Sequence, residues 1–228
     1  MKKIIQVAGI TDLQEAKMLM SLGVEYLGFP LRLPVNKEDL LEEDAAEIIK
    51  FIKSPHKAVL ITYLNKANEI IDFCNKLGVK IVQLHGHINL EELRKLKSFR
   101  PDIEVIKSLV VKSDNLNVLE DIVQTHSPYI DLFITDTYDP TTGASGATGK
   151  THDWNISKHL VKISSRPVII AGGLDPYNVR EAIIETNPAG VDVHTGIESA
   201  NGRKDIELTK KFINEALQAF SSIQQYHL

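Results

Sequence analysis

Two short glycine-bearing stretches near the end of the chain carry the plainest chemistry in the sequence. One is Ala171-Gly172-Gly173-Leu174-Asp175-Pro176; the other is Val193-His194-Thr195-Gly196-Ile197-Glu198. Each closes a run of apolar, mostly β-branched residues. Glycine lets backbone N–H groups turn toward a bound anion, and a capped helix start adds partial positive charge. Asp175-Pro176 reads as such a start, an N-cap followed by proline at the first helical position. Gly172, Gly173, Thr195 and Gly196 are therefore expected to hold a phosphate. A third stretch, from Gly143 through Gly149 to Trp154, is small and polar enough to fold over a ligand, and Gly149 joins the phosphate-binding set. Gly149-Lys150-Thr151 imitates the end of a P-loop, but the first glycine of that motif would be residue 144, which is alanine. Nucleoside triphosphate binding is not expected.

Four polar residues could move or hold a proton. Asp136 closes the run Ile134-Thr135-Asp136. A partly desolvated carboxyl there could stay protonated and act as an acid, or it could simply bond local backbone. His85, in Gln83-Leu84-His85-Gly86, is a ligand contact or proton carrier, or else a histidine that bonds a backbone carbonyl and orients its loop. Lys107 would sit inside the fold, with a salt bridge as its ordinary explanation. Asp192 reads as structural.

These residues need a frame. Apolar runs near 3–8, 25–30, 58–64, 80–84, 104–108, 131–135, 167–171 and 190–194 have strand character. Amphipathic segments near 12–22, 42–53, 67–77, 90–98, 115–125, 155–163, 176–186 and 205–220 have helix character. Strict alternation demands a parallel sheet with right-handed crossovers. Eight units in 228 residues favour one closed (β/α)8 TIM barrel over residues 1–228, with its site at the carboxyl ends of the strands. Gly23, Gly78 and Gly190 are expected as left-handed residues between helix and strand. Thr11 or Asp12, Asn89 and Asp205 are expected caps. Residues 221–228 are expected to be loosely held.

A formal charge of -4 leaves no basic excess for neutralising phosphates, so a nucleic-acid partner is not expected. One cysteine, Cys74, excludes an internal disulfide and fits packing on a helix in a reducing compartment. Lys2-Lys3 precede an apolar stretch too short for a signal peptide, and no window is apolar enough to span a membrane. A cytoplasmic protein is expected, with no membrane partner, as a monomer or homodimer.

Several stretches, in order along the whole chain, resemble the phosphoribosylanthranilate isomerase family. They are Gly9-Ile10-Thr11, Leu27-Gly28-Phe29, Val82-Gln83-Leu84-His85-Gly86, Asp136-Thr137, Asp153-Trp154, Gly172-Gly173-Leu174-Asp175-Pro176, Val191-Asp192-Val193 and Gly196-Ile197-Glu198. The resemblance implies an Amadori rearrangement of a phosphoribosylated amine in tryptophan biosynthesis. It further implies a small phosphorylated sugar as partner and no metal or organic cofactor. It places the general acid at Asp136.

The chain departs from the family at three places. The family's general base, a cysteine, falls on Ala8, and a methyl group carries no proton. The segment after strand two reads Leu31-Arg32-Leu33-Pro34-Val35-Asn36-Lys37-Glu38. Arg32 or Lys37 would have to meet the substrate carboxylate that the family binds there. Paired serines are replaced by His194-Thr195. His194 could project into the space vacated at Ala8 and serve as a replacement base, or it could be a histidine satisfied within its loop. The alternative is a divergent barrel that lost this activity and binds, or isomerises, a different phosphorylated sugar.

Overall fold

The computed structural model describes residues 3–34, 39–138 and 151–225. Within them the chain forms eight parallel strands in one closed barrel, ordered β1 to β8 with β1 paired to β8. The strands are β1 Ile4–Ala8, β2 Tyr26–Pro30, β3 Lys57–Thr62, β4 Ile81–Leu84, β5 Glu104–Val111, β6 Leu132–Thr137, β7 Val168–Ile170 and β8 Gly190–Val193. The helices are α1 Leu13–Ser21, α2 Glu42–Phe51, α3 Ala67–Leu77, α4 Leu90–Phe99, α5 Leu116–His126, α6 Trp154–Ile163, α7 Val179–Thr186 and α8 Ile206–Gln225.

Alternation of side chains along each strand separates two cores. Inward positions such as Ile61, Ile81, Ile106, Leu132, Ile134 and Ile169 fill the barrel, with Ala8 and Ala171 at its upper edge. Outward positions such as Val7, Leu27, Phe29, Leu60 and Phe133 pack against the helices, where Leu19, Phe73, Leu93 and Phe212 meet them. Each such buried side chain contributes about 1.5–3 kcal/mol.

Caps form at Asp12, Asn89 and Asp205. The side-chain oxygens of Asp12 and Asn89 accept the N–H of Glu15 and Glu92 at 2.8 and 2.9 Å. That of Asp205 accepts Leu208 N–H at 2.9 Å.

Three local expectations change. Gly23 and Gly78 are left-handed, with φ of 85° and 73°, but Gly190 is not. The left-handed joint before β8 is Asn187, φ 49°. Gly190 is needed for space instead: a Cβ there would lie 2.5 Å from the Ile4 carbonyl oxygen on the neighbouring strand. The helix expected from 176 begins at Val179, because Asp175 caps a preceding turn by accepting the N–H groups of Tyr177 and Asn178. Finally, α8 runs to Gln225, so residues 221–225 are helical rather than loose. Its apolar stripe of Phe212, Ala216, Ala219, Phe220 and Ile223 continues onto the core.

Candidate active site

A cavity of about 350 Å³ opens at the carboxyl ends of the strands. Its floor is made by inward-facing residues of distant strands: Ala8 of β1, Ile61 of β3, Gln83 of β4, Asp136 of β6 and Asp192 of β8. Its rim holds Gly172, Gly173, Thr195 and Gly196, together with His85, His194, Asp39 and Glu198.

The two glycine corners touch. Gly172 and Gly173 are consecutive left-handed residues, with φ of 94° and 63°. Such turns point successive N–H groups into one concavity. A Cβ on Gly172 would collide with Thr137 Oγ1 at the end of β6, and one on Gly196 would collide with the Leu174 carbonyl oxygen. Asn178 fastens the first corner, donating from Nδ2 to the Gly173 oxygen at 2.9 Å and accepting Asp175 N–H at Oδ1, also at 2.9 Å.

Asp136 is both bonded to local backbone and buried. Oδ1 accepts the N–H of Thr137 at 2.8 Å, so the carboxyl does bond local backbone. It is also only 8% exposed, and burial pushes its pKa up to about 7 against the opposing Thr137 N–H. Oδ2 lies 3.9 Å from His85 Nε2. His85 itself is held at Nδ1 by Ser108 Oγ at 3.0 Å and edge-on by the Tyr63 ring at 4.9 Å. The expected carbonyl anchor is thus a serine hydroxyl at that nitrogen. Burial and the Asp136 charge push Tyr63 up to about 12.

Lys107 makes no salt bridge among the described residues. Its Nζ donates to the carbonyl oxygens of Leu84, Gly86 and Ser108 at 3.3, 3.1 and 2.8 Å, tying the β4 loop to β5. Burial lowers it to about 8. His152 precedes the cap of α6. It bridges Thr137 Oγ1 on β6 at 2.9 Å to Ser157 Oγ on α6 at 2.5 Å, and burial lowers it to about 4. Asp153 caps α6 by accepting Asn155 N–H at 2.9 Å.

His194 lines the cavity, but the tip of its ring lies against the backbone of Gly9, where any Cβ would overlap it. Its Nε2 is 3.5 Å from Glu198 Oε1 and 3.9 Å from Asp39 Oδ2. Burial, with the Lys204 charge behind it, lowers its pKa to about 3. A base of that affinity has little driving force for taking a proton near neutral pH.

Arg32 does not join the cavity wall. Its Nε donates to Glu42 Oε1 at 2.8 Å, and its guanidinium lies 3.8 Å over the Phe73 ring. Glu42 is correspondingly lowered to about 2, first by that hydrogen bond. The expectation that Arg32 meets a substrate carboxylate gives way to a role in joining β2 to α2 and α3. Lys37 and Gly149 lie outside the described residues. Arg32→Ala is expected to lower stability by about 1 kcal/mol, through the lost ion pair and stacking, and to leave KM within twofold. A KM rise of tenfold or more in steady-state assays would return Arg32 to the site.

Sequence reasoning missed Asp39 and Tyr63 and gave Glu198 no role of its own, although it closes the Gly196-Ile197-Glu198 stretch. No local motif marks Asp39 or Tyr63; they line the site because the loops after β2 and β3 reach it. A family model described as N-(5'-phosphoribosyl)anthranilate (PRA) isomerase matches residues 5–215. The chain belongs to the phosphoribosylanthranilate isomerase family. An N-(5'-phosphoribosyl)anthranilate isomerase 2 from Methanosarcina mazei is 34% identical over 98% of both chains. The crystal structure of phosphoribosyl anthranilate isomerase from Thermotoga maritima is 28% identical, with a TM-score of 0.80 over 95% of this chain and 100% of that one. Another structure of the same family, 26% identical with a TM-score of 0.78 over 95% and 100%, holds reduced 1-(o-carboxyphenylamino)-1-deoxyribulose 5-phosphate. At the end of β1 the floor of the cavity is the Ala8 methyl group.

Proposed function

We propose that the chain isomerises phosphoribosylanthranilate to the corresponding aminodeoxyribulose phosphate in tryptophan biosynthesis. The observation that carries this reading is the Asp136 carboxyl. It is buried at a strand's carboxyl end, faces the cavity, and is poised near pH 7, where a group can both hold and release a proton.

The steps are those that the family resemblance implies, set onto the residues of this cavity. The glycine corners at Gly172-Gly173 and Thr195-Gly196 receive the 5-phosphate through backbone N–H groups. The ribose then lies over the floor, with its ring oxygen toward Asp136. Asp136 protonates that oxygen, the C1–O bond breaks, and the aryl nitrogen's electron pair forms a C1=N iminium. Loss of the C2 proton converts the iminium to an enolamine, and proton return to C1 with loss of the O2 proton gives the ketose. Protons are only redistributed, so the chemistry itself calls for no redox partner. Phosphate held far from the reacting carbon contributes orientation, which is worth several kcal/mol when reacting groups are well placed.

The test is growth of a tryptophan auxotroph lacking this isomerase, with the wild-type gene beside Asp136→Asn, and turnover of phosphoribosylanthranilate by both purified proteins. Growth and turnover with wild type, lost in the variant, support the reading. A wild-type protein that neither restores growth nor turns over the substrate overturns it, in favour of a different phosphorylated ligand.

A further inference from the structure

An aldose–ketose rearrangement needs a proton acceptor as well as an acid, and Ala8 cannot be one. We propose that Asp192 is that acceptor, taking the C2 proton of the ring-opened substrate while Asp136 acts as the acid. This rests on the isomerase reading given above and adds a residue to it.

Position comes first. Asp192 pairs in register with Gln6, two residues before Ala8 on β1. Residues two apart on a strand face the same way. The Asp192 carboxyl therefore belongs to the interior row directly beneath the Ala8 methyl, on the adjacent strand, and both residues line the cavity. No bulk intervenes at Ala8, so the carboxyl is reached from above.

Its bonding state points the same way. Gln6, its register partner on β1, donates from Nε2 to Gln83 Oε1 at 2.8 Å, and Asp192 Oδ1 is buried with no hydrogen-bond partner. Among the described residues no lysine or arginine forms an ion pair with it. A buried carboxyl oxygen without a partner is costly unless something else serves it. A substrate C–H or O–H presented at that oxygen would do so.

The Asp136 charge also bears on Asp192. Burial first, and then that charge, raise Asp192 to about 7, while Gln6 and Lys204 oppose the shift. Two carboxyls that share one cavity and repel when both are ionised settle at neutral pH with one proton between them, which is one acid and one base. Two other groups in the cavity are less suited. His194 is held near 3 and its ring tip is turned to Gly9. Glu198 is occupied by Lys204 Nζ at 2.5 Å.

The proton count closes. Asp136 gives its proton to the ring oxygen as the C1–O bond breaks. Asp192 takes the C2 proton, and that C–H electron pair becomes the C1=C2 bond while the iminium π pair returns to nitrogen. Asp192 then delivers its proton to C1, as Asp136 accepts the O2 proton. Both carboxyls end as they began.

The test compares wild type, Asp192→Asn, Asp192→Asn carrying Ala8→Cys, and His194→Ala, all with phosphoribosylanthranilate. Asp192→Asn is expected to lower kcat about 100- to 10,000-fold with KM within threefold. Ala8→Cys added to it is expected to restore at least tenfold, because a thiol there offers a second acceptor over the same carbon. His194→Ala is expected to lose far less than Asp192→Asn. An Asp192→Asn protein within threefold of wild type overturns the assignment. So does a slowed variant that melts like wild type, keeps its KM and gains nothing from Ala8→Cys, since Asp192 would then only position other groups. Asp192→Ser stands in if the asparagine variant does not fold. Inactive wild type is a different failure: it removes the isomerase reading itself, and this assignment falls with it.

Discussion

Asp136→Asn is expected to abolish most turnover while making the protein more stable above neutral pH. The rate loss should be about 100- to 10,000-fold in kcat, the usual worth of a positioned general acid, because an amide of the same shape has no proton of suitable affinity to give. The stability change follows from linkage. An unfolded aspartate loses its proton near pH ~4, whereas in the barrel Asp136 keeps it to about 7. The folded state binds more protons across that window. Its contribution is therefore fully present below pH ~4, declines as pH rises toward 7, and is absent above. A shift of this size corresponds to something on the order of 4 kcal/mol. Asparagine carries no such penalty, so the melting temperature at pH 8 should rise by several degrees and its fall between pH 4 and 7 should become shallower. Thermal melts at pH 4, 6 and 8, beside kcat, check both halves. A variant that is slow but no more stable at pH 8 would mean that Asp136 is not the strained carboxyl described above. The rate of wild type should itself follow a narrow bell around pH 7, with apparent values belonging to the Asp136–Asp192 pair and not to either residue alone.

Gly196→Ala is expected to raise KM about 10- to 100-fold. The new Cβ would meet the Leu174 carbonyl oxygen and the Asp175 Cα, both backbone atoms that cannot rotate away. The corner after β8 must then separate from the corner after β7, and N–H groups that converge on one anion no longer do so. Displacement of about 1 Å in a positioning group can cost on the order of 100-fold. Gly23→Ala provides the comparison. Gly23, unlike Gly196, is left-handed, φ 85°, and open space surrounds it at the far end of α1. It should lose about 1 kcal/mol of stability through backbone strain alone, with KM unchanged. Equal KM values for Gly196→Ala and wild type would show that the two corners do not jointly form the anion site.

Much of the barrel is legible in the sequence because its signals are local. Apolar runs of strand length alternate with amphipathic runs of helix length, and caps at Asp12, Asn89 and Asp205 lie where short polar side chains precede such runs. The end of each strand then nominates Asp136, His85 and the glycine corners without any knowledge of distances. What was misjudged depends on neighbours that are remote in the chain. Gly190 looks like a helix terminator, yet its missing side chain is explained by Ile4 on the strand that closes the barrel. Arg32 looks available to a ligand, yet Glu42 and Phe73 hold it elsewhere.

The residue types alone determined that eight strand–helix units would alternate, that glycines would close strands seven and eight, and that no ionisable group would stand at position 8. Only the tertiary structure decided which groups can exchange protons there. Proton affinity depends on burial, and burial of Asp136, Asp192 and His194 arises from strands and loops drawn from the whole length of the chain. Two aspartates 56 positions apart come to face one cavity, and a histidine that looked like a base has its proton affinity lowered well below the usual value, because closing the cylinder withdraws each of them in part from water.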